Sequence, residues 1–200
     1  MTPRPYAAPR APERPTPTPR RAAWLAAAML ALAPVAHAQG VEGSAPPPAA
    51  EAWLDLPLVD AASGEVFTLR DLDDGVVLVE TMATWCGNCR RQLGHLVAAS
   101  AELGDEAATG VPVAYVVVSV ERGLDPARLA AYAEREGFPF RFVVADDDLL
   151  RALADRFGRG VLNPPATPHV VVGPGGRVGA LTTGFEAPEA LVARLRAAAD

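Results

Sequence analysis

The chain has 200 residues, half of them apolar, with 18 Lys+Arg against 24 Asp+Glu for a net charge of −6. Every basic residue is an arginine and no basic stripe runs along any segment, which excludes nucleic acid and anionic membrane surfaces as natural partners. Two cysteines in a chain of this length exclude a scaffold stapled by disulfides.

The first 21 residues (MTPRPYAAPRAPERPTPTPRR) hold five Arg, one Glu and seven Pro, a composition that forms no packed element. A 15-residue apolar run, AAWLAAAMLALAPVA, follows and ends in Ala36-His37-Ala38. It falls short of the ~20 residues that span a bilayer. A charged lead, a short apolar run and a small-residue exit predict a signal peptide over 1–38, cleaved after Ala38. The protein is then exported to the periplasm or an equivalent extracytoplasmic space; an uncleaved membrane anchor is the alternative. Arg20-Arg21 leaves Sec and twin-arginine routes both open. Without the leader, 13 basic residues face 23 acidic ones.

Residues 39–52 (QGVEGSAPPPAAEA) read as a flexible linker. One domain is expected over 53–200. Alternating apolar positions on either side of Ala61–Gly64 predict a short hairpin, and Val76–Val79 a buried strand. After the cysteines, Leu93, Leu96, Val97, Ser100 and Leu103 fall on one helical stripe. VPVAYVVVSV (111–120) reads as a strand covered on both faces. Asp125-Pro126 caps a helix bearing Leu129, Tyr132 and Ala133. Phe140–Ala145 is a further strand, and Asp146–Asp148 opens a helix closed by Gly158. His169–Val172 and Arg177–Thr182 flank Gly173–Gly176, a hairpin, and Ala187–Ala199 is a last helix. This order, ββ–β–α–β–α–β–α–β–β–α, predicts an α/β layer fold around a mixed central sheet.

Cys86 and Cys89 stand three residues apart, where the Val76–Val79 strand gives way to a helix. As a staple the pair closes too small a loop to restrict the unfolded chain much. As a zinc site it lacks a second pair of ligands, since only His95 and His169 lie beyond residue 38. A redox couple fits the chemistry best. The thiolate is the attacking species, and a helix N-terminus favours it through its dipole and free N–H groups. Cys86 is placed there as nucleophile, with Arg90 and Arg91 adding positive charge. Cys89, one turn inside, resolves the mixed disulfide.

With Thr84-Trp85-Cys86-Gly87-Asn88-Cys89-Arg90 at the end of an apolar strand, the chain resembles the thioredoxin superfamily. More narrowly it is similar to exported TlpA/ResA-type thiol–disulfide oxidoreductases, over about residues 54–200. "MATWCGNCR", "FPFRFVVADDD", "LADRFG", "ATPHVVVGPGGRV" and the closing helix carry that likeness. The resemblance implies a thioredoxin-like three-layer fold with an N-terminal β-hairpin extension and a Cys86–Cys89 redox disulfide. It further implies a monomer without cofactor or metal that reduces client protein disulfides, as in cytochrome c or copper-site maturation. A membrane thiol transporter then supplies the electrons. It makes Thr167-Pro168 a cis-proline loop facing the disulfide, with the residue before the proline offering its backbone to a substrate strand. Trp85 is expected to cover the disulfide. Pro164 and Pro165 read as loop rigidity alone.

Glu80 lies six residues before Cys86, where thioredoxin has a buried Asp. In an apolar strand its carboxyl is raised in pKa and suited to take the resolving thiol's proton; a solvent-facing, inert Glu80 is the alternative. Gln92 stands where ResA-type proteins often carry Glu, which removes a carboxylate from that place. His169 either faces the redox site or turns into the sheet. The pair Gly87-Asn88 leaves the potential open between about −270 mV (thioredoxin) and about −120 mV (DsbA). Three other functions stand beside disulfide reduction. One is a disulfide-forming oxidase. Another is a Sco-like copper chaperone, although here the cysteine spacing is one residue shorter and His169 alone is available as the distant ligand. The third, a peroxiredoxin, wants Thr or Ser where Ala83 stands.

Overall fold

The computed structural model describes residues 49–104 and 109–200; the expected signal peptide and most of the expected linker lie outside them. A 3-10 helix over Ala49–Asp55 comes first among the described residues, so the last four residues assigned to the linker are helical, anchored by buried Trp53 and Leu54. Strands β1 (Leu58–Val59) and β2 (Val66–Phe67) form the expected hairpin. Then come β3 (Val76–Met82), α1 (Gly87–Leu103), β4 (Val113–Ser119), α2 (Pro126–Glu136), β5 (Arg141–Val144) and α3 (Asp147–Phe157). Strands β6 (His169–Gly173) and β7 (Arg177–Val178) and helix α4 (Pro188–Ala199) complete the domain. Its five-stranded sheet has the order β5-β4-β3-β6-β7, with β3–β4–β5 parallel and β6 and β7 antiparallel. Among the described residues no helix is long and apolar enough to cross a membrane.

Strand β3 is central and buried along its whole length, three residues beyond the VVLV run. Gly75 lets it start beside β4, because a Cβ there collides with the Pro112 carbonyl that accepts the Val76 N–H. Its side chains alternate between two cores. Val76, Leu78 and Met82 pack with Leu93 and Leu96 of α1, Leu129 and Tyr132 of α2, and Leu191 and Leu195 of α4. Val77 and Val79 pack with Trp53, Leu69, and Leu149 and Leu153 of α3. The three layers are therefore α1/α2/α4, the sheet, and α3 with the 3-10 segments.

Caps fall where the sequence places them. Asp125 and Asp146 accept from Ala127 and Leu149 backbone N–H groups, and Gly158 closes α3. The last hairpin departs from its expected form. Pairing runs Gly173↔Arg177 and Val172↔Val178, then resumes at His169↔Thr182 one residue out of step. Gly179, donating to the Val171 carbonyl, sits at this bulge, where a side chain would crowd that oxygen. The bulge ends the regular strand at Val178 while keeping His169 paired.

Candidate active site

β3 delivers the chain to a tight turn, in which Cys86 N–H donates to the Ala83 carbonyl. Glu121, just past β4, holds that turn: its carboxylate accepts from Thr84 N–H at 2.5 Å and from Thr84 Oγ1 at 3.1 Å. Cys86 is the N-cap of α1, and its Sγ accepts the Cys89 N–H at 3.1 Å. A thiolate at that position meets an orphan N–H and the positive end of the helix dipole. A disulfide joins Cys86 to Cys89, with Cα atoms 5.3 Å apart. Cys86 is 4% exposed, at a mouth of about 50 Å³ lined by Thr84, Trp85, Gly87 and Arg90; Cys89 is fully buried.

The loop facing the pair comes from 163–168. Cys89 Sγ lies 3.1 Å from the Pro164 carbonyl oxygen, so in the dithiol form its S–H has a backbone acceptor. Asn88 Nδ2 donates to the Pro165 carbonyl at 2.9 Å. Pro164 and Pro165 thus do more than stiffen a loop: as a 3-10 turn (Pro164–Ala166) they present carbonyls to the C-x-x-C segment. Thr81 Oγ1 donates to the Val161 carbonyl and Thr81 N–H to that of Pro168, tying the same loop to β3.

Two expectations are corrected here. No peptide bond among the described residues is cis, so Pro168 follows a trans bond. The chain reverses instead through Thr167, which takes the left-handed conformation (φ 46°, ψ 55°) at the end of the 3-10 turn. Such a conformation is costly for a β-branched residue, on the order of 1–3 kcal/mol. Thr167 has no free backbone: its N–H donates to Pro164, and its carbonyl faces His169 Nδ1 at 3.0 Å. Trp85 lines the mouth at Cys86. It is 67% exposed.

Glu80 is fully buried, which removes the solvent-facing alternative. Its alternation places it with Leu78 and Met82, on the side of the sheet where α1 packs Cys89. Neither carboxyl oxygen has a hydrogen-bond partner, and desolvation pushes its pKa well above the usual carboxylate range. Tyr132 on α2, raised to about 12 by its own burial and then by Glu136, also senses Glu80.

Beside this pair lies a polar cluster that the motifs do not announce. His169 is 1% exposed and lies on the Glu80 side of the sheet, its Nε2 2.7 Å from Glu186 Oε2. Arg194 grips the same carboxylate through Nε and Nη2, at 2.6–3.1 Å. Burial works to raise the Glu186 pKa, but Arg194 and His169 outweigh it and hold it below the usual value. Buried Gln92 accepts the Glu186 N–H, and His95 Nδ1 lies 2.8 Å from the Glu186 carbonyl. Sequence reasoning placed no role on Glu121 or Glu186, since neither belongs to a motif: Glu121 meets Thr84 37 residues away, and the Glu186 carboxylate meets His169 17 residues away across the final hairpin.

No family model and no curated protein sequence matches the chain. Solved structures do. A thioredoxin-family thiol:disulfide interchange protein from Chlorobium tepidum TLS superposes with TM-score 0.56 at 19% identity, covering 72% of this chain and 92% of that one. A secreted Mycobacterium tuberculosis disulfide oxidoreductase homologous to E. coli DsbE gives TM-score 0.52 at 15% identity, over 72% and 97%. BsSco, a member of the Sco family of cytochrome c oxidase assembly proteins, gives 0.56 at 17% identity, over 72% and 90%. Sheet order, layering and these superpositions identify a thioredoxin fold, with a C-x-x-C disulfide at the head of its first long helix.

Proposed function

We propose that the protein is an exported thiol–disulfide oxidoreductase that reduces disulfides in client proteins. The observation that carries this reading is the Cys86–Cys89 pair: an N-capping sulfur at a small surface mouth, with its partner sulfur buried behind it. In the dithiol form Cys86 attacks a client disulfide. A Cys86–client bond forms, and the client's other sulfur leaves with the electron pair and takes up a proton. Cys89 then attacks Cys86 Sγ. The protein disulfide closes, the client's second sulfur leaves, and the Cys89 proton passes to Glu80. Trp85, beside the mouth, and the 163–168 loop with Thr167 and Pro168 flank the incoming chain.

The signal-peptide pattern over 1–38 supports an extracytoplasmic location, where a membrane thiol transporter is the fitting electron donor for a monomer of this kind. Cytochrome c or copper-site cysteines are the fitting clients. Reduction of insulin disulfides, lost in Cys86→Ser, tests the activity. The equilibrium potential against glutathione tests its direction: near about −270 mV the protein is a reductant, near about −120 mV an oxidase.

The superposition on BsSco favours a second reading, a copper-binding assembly chaperone. Against it, both ring nitrogens of His169 already face oxygens of Thr167 and Glu186. Stoichiometric Cu(I) binding that needs His169 would establish the chaperone instead.

A further inference from the structure

Glu80 and His169 are direct partners in the antiparallel β3–β6 ladder. Their flanking hydrogen bonds go elsewhere: His169 N–H and C=O pair with Thr182, and Thr81 N–H reaches Pro168. Glu80 and His169 are thus a non-hydrogen-bonded pair, the kind whose side chains approach most closely, with Cβ atoms about 4.5–5.5 Å apart on one face. Both are cut off from water. The His169 ring has an oxygen at each nitrogen: the Thr167 carbonyl at Nδ1 and the Glu186 carboxylate at Nε2. A carbonyl only accepts, and Glu186, gripped by Arg194, is a carboxylate. Only a ring carrying hydrogen on both nitrogens satisfies both contacts.

From this geometry we infer that His169 is the charge partner of Glu80: a positioning residue, locked by Thr167 and Glu186, whose positive ring lets the buried carboxyl ionise and receive the proton of Cys89. The inference rests on the oxidoreductase reading above and adds a residue to it. Cys89 of α1 packs in the core on Glu80's side of the sheet, and Tyr132 of α2, which senses Glu80, has Glu136 and exposed Arg90 near it. β4 contributes apolar Val117 in the paired position, and Arg194 of α4 acts through Glu186. His169 is the cation in register with Glu80. During resolution the Cys89–Cys86 bond forms, the Cys86–client bond breaks with its electron pair leaving on the client sulfur, and the proton moves from Cys89 to Glu80. His169 changes no bond.

The test separates the two chemical steps with an aromatic disulfide, 5,5′-dithiobis(2-nitrobenzoate), followed by stopped flow on the reduced protein from pH 5 to 9. Attack by Cys86 releases the first thionitrobenzoate, and resolution by Cys89 the second. His169→Gln keeps a polar side chain but no charge. The expected result is an unchanged first phase and a second phase about tenfold slower at pH 7, with its pH midpoint moved upward because Glu80 now ionises only at higher pH. Glu80→Gln and the double variant are then equally slow, since His169 acts only through Glu80. An unchanged second phase in His169→Gln, or a double variant slower than Glu80→Gln, overturns the inference. If His169→Gln does not fold, Glu186→Gln is read in its place: a slower second phase with a raised midpoint supports the inference, and an unchanged one overturns it. A wild-type protein without a first phase overturns the oxidoreductase reading itself, an outcome distinct from any change confined to the second.

Discussion

Glu80 and Thr81 are neighbours on one strand, both buried, and face opposite cores. Thr81 is satisfied: its hydroxyl donates to the Val161 carbonyl at 2.5 Å, and the core around it is Val77, Val79, Trp53 and the leucines of α3. Glu80 has no partner for either oxygen, and on its side Gln92 Nε2 and Tyr132 Oη are unpaired as well. A buried polar group without a partner costs roughly 1–3 kcal/mol. One side of the sheet is therefore built for stability. The other gives up stability beneath the thiols, where a group able to change charge is useful.

The largest effect that sharpens this contrast belongs to the stable side. Trp53→Ala empties a site packed edge-on against Phe157, with ring centroids 5.5 Å apart. It is expected to cost about 3–5 kcal/mol in denaturant unfolding. Because the disulfide lies across the sheet, its reduction potential should stay at the wild-type value; a shifted potential would join the two regions.

Next in size is the pH dependence of Glu80. Its folded pKa is raised, so between the ordinary carboxylate value and the raised one the native state holds a proton that the unfolded chain has lost. Stability then falls as pH rises through that window, by up to about 1.4 kcal/mol per pH unit. Glu80→Gln should flatten this slope and be more stable than wild type at its upper end. Parallel slopes in the two proteins would mean that Glu80 gains a partner or water on ionising.

Much of this was legible from residue order. Strand and helix types, the Asp125 and Asp146 caps and the cysteine pair each follow from local chemistry or fixed spacing. The buried carboxyl of Glu80 was visible too, since a carboxyl among valines is conspicuous. What escaped depends on chain reversals. The apolar spacing on α1 puts Val97 and Ser100 on the buried stripe, but the helix starts at Gly87 and buries Gln92 and Ala99 instead, since Gln92 has a backbone N–H to meet at Glu186. The reversal before Pro168 is a backbone torsion at Thr167, on which no side chain reports. Glu186 faces His169 because a one-residue bulge sets the final hairpin, a register that sequence pattern does not encode.

The smallest effect concerns Glu186, and its sign opposes that of Glu80. Arg194 and His169 hold the Glu186 carboxyl below its ordinary pKa, outweighing burial. Its stabilising share is present above the unfolded value and is lost as pH falls through the lowered one. Glu186→Gln should therefore be less stable than wild type at pH 7 and converge on it in acid, while Glu80→Gln gains its advantage toward alkaline pH. Thermal unfolding of the two variants from pH 3 to 9 should give difference curves of opposite sign. If Glu186→Gln keeps a constant deficit into acid, the carboxylate serves there as a hydrogen-bond acceptor whose charge is immaterial, and the positive ring of His169 loses its counterion.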